Sequence, residues 1–407
     1  MVQPARFDAP KPFRVEIAQS KLDLGQQLID LTDLEPFYAN ALDGSATDDD
    51  EGCTYGLGVP RIRALLDHLK SGKLDWRGHE AKMNAMGEHS IVHVDGIEGA
   101  EYALDMHVVV ARSSKADATP LLLIHGWPGS FYEFNRIVPI LQRNYHVVMP
   151  SLPGYTFSSS PRKAGAHDVP LTLTICAIAC EAVMRAVGFT GKFVVQGGDW
   201  GSQISRRVAQ CFPDRVAAIH LNMYMNVPGD VKASTDWEQR GIDRAADFNE
   251  RGTAYSAMQS TVPYTLGAVL QSSPVATVIY ISEKLFRWTA PDSHPSVDEA
   301  VAHSMLYWLT GSLASSCWLY HNRRVNVDRE AKLVAETRIE APARITMGQY
   351  ELRWPPRKVA EETFPNLREY KLLDAGGHFA ALERPELLAA EMDALFLSDE
   401  VQQALQS

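Results

Sequence analysis

Asp199 lies inside Lys192-Phe-Val-Val-Gln-Gly-Gly-Asp-Trp-Gly201, a short apolar run that ends in a glycine-flanked turn. The run predicts a buried strand, the glycines a tight turn, and the residues from about Ser202 a helix. This is the setting of a nucleophile elbow, Gly-x-nucleophile-x-Gly. A serine there suits acyl transfer, because it attacks a carbonyl and leaves an ester that water opens. On a saturated carbon a serine would leave an ether, which water does not cleave. An aspartate attacking a saturated carbon leaves an alkyl ester whose carbonyl belongs to the protein, and water can attack that carbonyl to release an alcohol. Asp199 therefore points to an electrophilic sp3 carbon, as in an epoxide or an alkyl halide.

Such a nucleophile needs a base and an acid that orients the base, in the chain order nucleophile, acid, histidine. His378, in Leu373-Asp-Ala-Gly-Gly-His-Phe-Ala380, is the candidate base, on a loop that Gly376 and Gly377 make pliable. Glu351 follows the strand-like run Arg344–Gly348 by three residues and is the candidate acid, with Asp374 as rival. Asn222, at the end of an earlier strand, cannot supply the charge. The loop His125-Gly-Trp-Pro-Gly-Ser130 follows another apolar run, Leu121–Ile124. The backbone N–H groups of Trp127 and Trp200 suit an oxyanion hole, the oxyanion forming on Asp199 itself when water attacks. His125, Gly126 and Pro128 are expected to border the substrate.

The elements that must hold these residues are strands Leu104–Ala111, Val147–Met149 and Ala217–Leu221 beside the two already named. Helical spacing runs over Val59–Leu74 before these strands, and over Phe131–Leu141 and Thr172–Val187 between them, the last with Gly188 as its stop. Alternating buried strands and helices predict an α/β fold with a mostly parallel sheet. The alternation stops after about Val227. Residues 228–335 read as mostly helical and aromatic, an insertion shaped as a lid, and strand signal resumes at Arg344. This divides the chain into an N-terminal segment (1–105), a first core part (106–227), the helical lid (228–335) and a second core part (336–407). Val94–Val110, with Gly96 and Gly99, suggests an extended hairpin, and Leu42–Gly52 an exposed acidic loop.

Composition narrows the rest. The 407 residues are 45% hydrophobic and 22% charged, as in a globular protein, and a net charge of −11 argues against a nucleic-acid or anionic-membrane partner. Five scattered cysteines imply no disulfide framework, and Cys176 and Cys180, at i and i+4 of an apolar helix, read as packing. His89 and His93 share a strand with no third ligand nearby, so no metal is expected. No cofactor is needed for the chemistry. The N-terminus has no apolar leader and no run of about 18 apolar residues occurs, so the expectation is a soluble, cytoplasmic protein with no transmembrane anchor. A homodimer is compatible with the chain.

At these residues the chain resembles the microsomal-type epoxide hydrolases of the α/β-hydrolase superfamily. The resemblance covers most of the chain. It rests on His125-Gly-Trp-Pro-Gly-Ser-Phe-Tyr-Glu-Phe134, Pro150-Ser-Leu-Pro-Gly-Tyr155, Gly197-Gly-Asp-Trp-Gly201 and Gly376-Gly-His-Phe-Ala-Ala381, in the family's order. Asp75-Trp-Arg-Gly-His-Glu80 and Asn84 match the family's N-terminal segment, which wraps the core and part of the lid. The resemblance implies two lid tyrosines that protonate the epoxide oxygen. Tyr255, before Gln259-Ser-Thr-Val-Pro-Tyr-Thr-Leu-Gly267, and Tyr320, after Tyr307-Trp-Leu-Thr-Gly311, take those positions. It implies an epoxide and water as partners and a role in detoxifying foreign compounds. Two rivals remain: a haloalkane or haloacid dehalogenase, using the same aspartate and histidine without paired tyrosines, and a non-catalytic small-molecule binder that kept the fold.

Overall fold

The structure, a computed structural model, describes residues 2–41, 55–162, 169–225, 227–325 and 338–406. The acidic Leu42–Gly52 stretch and Cys53 lie outside the described residues.

One sheet organises the molecule. Its strands are β1 (Arg6–Phe7), β2 (Lys11–Pro12), β3 (Glu88–Asp95), β4 (Leu104–Ala111), β5 (Thr119–Ile124), β6 (Tyr145–Pro150), β7 (Phe193–Gly197), β8 (Val216–Leu221), β9 (Ala343–Met347) and β10 (Leu367–Leu372). They run in the order β1-β3-β4-β6-β5-β7-β8-β9-β10, with β2 also on β3. From β6 to β10 every pairing is parallel, whereas β4 joins β6, and β3 joins β4, in antiparallel fashion. The α/β-hydrolase fold is thus present, and Val94–Val110 is the turn and return strand of the β3–β4 hairpin. That hairpin straddles residue 105, because the wrapping segment contributes β3 to the sheet.

The central parallel strands β5, β7 and β8 are buried on both faces, whereas the edge strand β10 is mostly half-exposed. Leu121, Leu122, Leu123 and Ile124 of β5 are fully buried, each contributing about 1.5–3 kcal/mol relative to exposure. Because β5, β7, β9 and β10 are parallel, their carboxyl ends share one edge of the sheet, where open α/β folds place their sites. The helix Leu173–Ala186 begins where the Thr172 hydroxyl accepts from Ile175 N–H at 3.3 Å, and it ends before Gly188 at φ 100°. Cys176 and Cys180 are buried in it. Phe131–Leu141 is not one helix as expected. A 3-10 turn over Phe131–Asn135 is followed by a short helix, Val138–Leu141, since Pro139 has no N–H to continue the ladder.

Between β8 and β9 the chain builds the lid, including the helices Asp236–Asp247, Ala254–Thr261, Pro263–Gln271, Pro274–Arg287, Val297–Thr310 and Trp318–Val325. The helix Val297–Thr310 starts in a reciprocal Ser296–Glu299 capping box and stops at Gly311, φ 71°. Among the described residues no single helix is long and apolar enough to cross a membrane. The pair Pro263–Gln271 and Pro274–Arg287 reaches that length only jointly and is bent by 117°.

The N-terminal helices Gln19–Leu31 and Val59–Lys70 pack on the lid helices Pro274–Arg287 and Val297–Thr310. Buried Glu80 accepts from Trp76 Nε1 at 2.8 Å and from Ile17 N–H at 2.7 Å, and Asn84 pairs with both backbone groups of Val15 at 2.9 Å. His79 meets Tyr132 Oη at 2.8 Å and Asp298 at 3.0 Å. The Trp-x-x-His-Glu pattern is therefore the seam joining the wrapping segment to the core and to the lid.

Candidate active site

The turn after β7 holds Asp199 at φ 44°, a left-handed conformation rare for a residue with a side chain. The helix Asp199–Cys211 starts at Asp199 itself, three residues earlier than the sequence pattern suggested. Gly201 makes this elbow feasible: a Cβ there would collide with the Ile124 carbonyl. Gly126 does the same from the facing loop, where a Cβ would overlap the Asp199 carboxylate. Both collisions are with parts that cannot move aside, so side chains at 126 and 201 are excluded.

Asp199 is 8% exposed. Trp127 N–H donates to its Oδ1 at 2.8 Å, and Trp200 N–H donates to the same carboxylate. Burial raises the Asp199 pKa, while His378 and these two N–H groups oppose the rise. His378 Nε2 stands 3.6 Å from Asp199 Oδ2, and its Nδ1 is 2.8 Å from Glu351 Oε1. Glu351 is fully buried and also accepts from Leu352 N–H at 2.7 Å. With Nδ1–H committed to Glu351, Nε2 faces the nucleophile. Asp374, the rival acid, is exposed. Burial pushes the imidazole pKa down, but Glu351, Asp199 and Glu133 together carry it up to about 9.

Tyr255 lies on the lid helix Ala254–Thr261 and Tyr320 on Trp318–Val325. The Tyr255 ring stacks on Trp127 with centroids 5.2 Å apart and planes 8° apart. Tyr320 stands edge-on to Trp200 at 4.9 Å and 5.8 Å from Tyr255. The two indoles that flank Asp199 thus carry the two phenols above it. Burial raises both phenol pKa values, so both hydroxyls stay protonated donors. Of the other lid tyrosines, Tyr307 is committed to Gly129 O at 2.6 Å and Tyr264 is 67% exposed.

His125 departs from its expected place at the substrate. Both ring nitrogens are bound to backbone: Nδ1 donates to Gly126 O at 2.9 Å, and Nε2 accepts from Leu152 N–H at 3.1 Å. Burial lowers its pKa to about 4. It ties the loop of residues 125–130 to the end of β6. Pro128 follows a cis peptide after Trp127. His93 pairs with Asp105 at 2.7 Å, while His89 turns inward to His107 at 3.0 Å.

Two acids escaped the sequence reading. Glu383 accepts from Gly377 N–H and Ala290 N–H, each at 2.8 Å, and from Phe379 N–H at 2.9 Å. It clamps the histidine loop to the end of a lid helix. Its signal was a carboxylate five residues after His378, where it closes the short helix Ala380–Glu383. Glu133, beside Asp199 and His378, is the second.

Known proteins match the chain along nearly its whole length. The family model "alpha/beta hydrolase fold" matches residues 119–385 and "Epoxide hydrolase N terminus" matches residues 10–134. The structure of Aspergillus niger epoxide hydrolase superposes with a TM-score of 0.80 at 31% identity, covering 98% of this chain and 97% of that one. Juvenile hormone epoxide hydrolase 1 of Ctenocephalides felis is 30% identical over 83% of this chain and 77% of its own length. Epoxide hydrolase 1 of Sus scrofa is 29% identical over 95% and 88%. Fold and site define an α/β-hydrolase with an aspartate at the nucleophile elbow. Within that superfamily, the chain belongs to the epoxide hydrolase family.

Proposed function

We propose that this chain is a microsomal-type epoxide hydrolase that opens an epoxide to a vicinal diol through an ester on Asp199. The observation that carries the reading is the Asp199–His378–Glu351 line lying under two protonated tyrosines. Asp199 attacks one ring carbon in line. Tyr255 and Tyr320 donate to the ring oxygen, and one gives up its proton as the C–O bond breaks. His378, oriented by Glu351, then takes a proton from water, whose oxygen adds to the Asp199 carbonyl. The resulting oxyanion sits on the N–H groups of Trp127 and Trp200. The Epoxide hydrolase N terminus match and the likeness to Epoxide hydrolase 1 support the epoxide as substrate.

A paired assay tests the reading. Styrene oxide should give its diol, and 1-chlorobutane should release no halide. Halide release without diol would assign the site to dehalogenation, and neither activity would leave a binder.

The charges at the site set a pH dependence. In the free protein, Asp199 helps hold His378 protonated up to about 9. Alkylation turns Asp199 into a neutral ester and removes that support, so the imidazole pKa must fall. Ester hydrolysis needs neutral His378, so its rate should rise with pH. The midpoint should lie below the midpoint for His378 in the free protein. Single-turnover ester decay across pH, set beside an NMR titration of His378, checks this. Coincident midpoints would contradict it.

A further inference from the structure

A small cavity lies beside Asp199, against Glu133 and Phe134 of the 3-10 turn that follows the loop of residues 125–130. Asp199, His378, Glu133, Gln196 and Asn222 are among the side chains that line it. Its volume of about 20 Å³ matches a single water molecule, which needs roughly 10–15 Å³ and two to four polar partners. The 3.6 Å between His378 Nε2 and Asp199 Oδ2 is longer than a hydrogen bond, so Nε2 is open to such a water.

Glu133 is otherwise hard to account for. Its carboxylate fills the space a Cβ at Gly129 would need. Among the described residues no arginine or lysine pairs with it, and the Ser130 N–H is its donor. The charges it feels are His378 and Asp199. Both charges belong to the catalytic line, so this buried acid is coupled to the site and not to a structural ion pair.

We infer that this cavity seats the hydrolytic water and that Glu133 is a further catalytic residue, holding that water against the Asp199 carbonyl carbon. The inference rests on Asp199 being the nucleophile. Water gives one proton to His378 Nε2 as its oxygen bonds to Asp199 Cγ. On collapse, the bond from Cγ to the alkyl oxygen breaks and that oxygen takes the proton back from His378. Asp199 is left as the acid, and its proton restores the tyrosine that protonated the ring oxygen. Burial, with Asp199 adding to it, raises the Glu133 pKa to about 8. Esterification removes the repulsion from the Asp199 carboxylate, and His378 is the other charge that Glu133 feels, so Glu133 is placed to stabilise the imidazolium that forms as the water gives up its proton.

Rapid-quench kinetics with styrene oxide, following the Asp199 ester by mass spectrometry, test this. Glu133→Gln should alkylate within about twofold of the unchanged protein, while ester decay slows on the order of 10²-fold and the ester accumulates. Ester decay should also lose the part of its pH dependence that belongs to Glu133. Unchanged decay, or slowing confined to alkylation, would overturn the inference while leaving Asp199 as nucleophile. An unchanged protein that forms no ester would instead sink the reading of Asp199. Should Glu133→Gln fail to fold, Glu133→Asp decides by the same two rates. It should show slowed decay with the pH dependence retained.

Discussion

Asp199→Ala should abolish diol formation, a loss on the order of 10⁵-fold or more, because no other group is placed to form the ester. The protein should still fold. Removing Asp199 relieves a buried carboxylate, and alanine takes over a left-handed φ that Asp199 already adopts. Circular dichroism and thermal unfolding check the fold, and the diol assay checks the activity. The covalent route makes a sharper demand on the unchanged protein. In a single turnover in heavy-oxygen water, the label should enter the Asp199 carboxylate, and the first diol should carry the unlabelled carboxylate oxygen. Label in the first diol would mean that water attacks the ring directly. Substantial activity in the alanine variant would mean the same.

Tyr255→Phe combined with Tyr320→Phe should nearly stop alkylation of Asp199. An opening epoxide oxygen becomes a strongly basic alkoxide, and two hydroxyl donors at that position stabilise it as charge develops. Each single change should slow alkylation on the order of 10²-fold or less, since the other phenol still donates, whereas the pair should cost on the order of 10⁴-fold. Phenylalanine keeps the rings, so the stack on Trp127 and the edge contact with Trp200 survive. Stability should shift little, and the effect belongs to ester formation rather than ester decay. Pre-steady-state alkylation is the measurement. An unchanged rate in the double variant would move the acid role to another lid residue, with Tyr280 first, because its ring stands edge-on to Trp127 at 6.0 Å.

His378→Gln separates the half-reactions. Asp199 should still be alkylated, and the ester should then persist, because no base remains to activate water. Ester that decays at the unchanged rate would remove His378 from the second step. Glu351→Gln with full activity, set against a loss in Asp374→Asn, would move the orienting role to Asp374.

Local chemistry alone determined much of this protein. The apolar run Phe193–Val195 before Gln196-Gly-Gly-Asp-Trp-Gly reads as a buried strand feeding a tight turn, and aspartate in that turn points the chemistry to saturated carbon. The alternation of strands and helices, broken by an aromatic helical stretch, determined the parallel sheet and the lid. These features depend on neighbours in sequence, where spacing and side-chain type carry the physics. Other features depend on what lies opposite in space. Glu351 and Asp374 were comparable candidates until burial and the 2.8 Å contact with His378 separated them. His125 belonged to a site motif, yet its two nitrogens are spent on Gly126 and Leu152, which no spacing rule foretells. The break at Pro139 turned an expected helix into a 3-10 turn, and that turn carries Glu133 to the cavity. Glu383 holds the histidine loop by collecting N–H groups from residues up to 93 positions away. Hydrogen-bond partners, burial and the fields that shift pKa values are set by atoms distant along the chain, so only the packed tertiary structure could decide them.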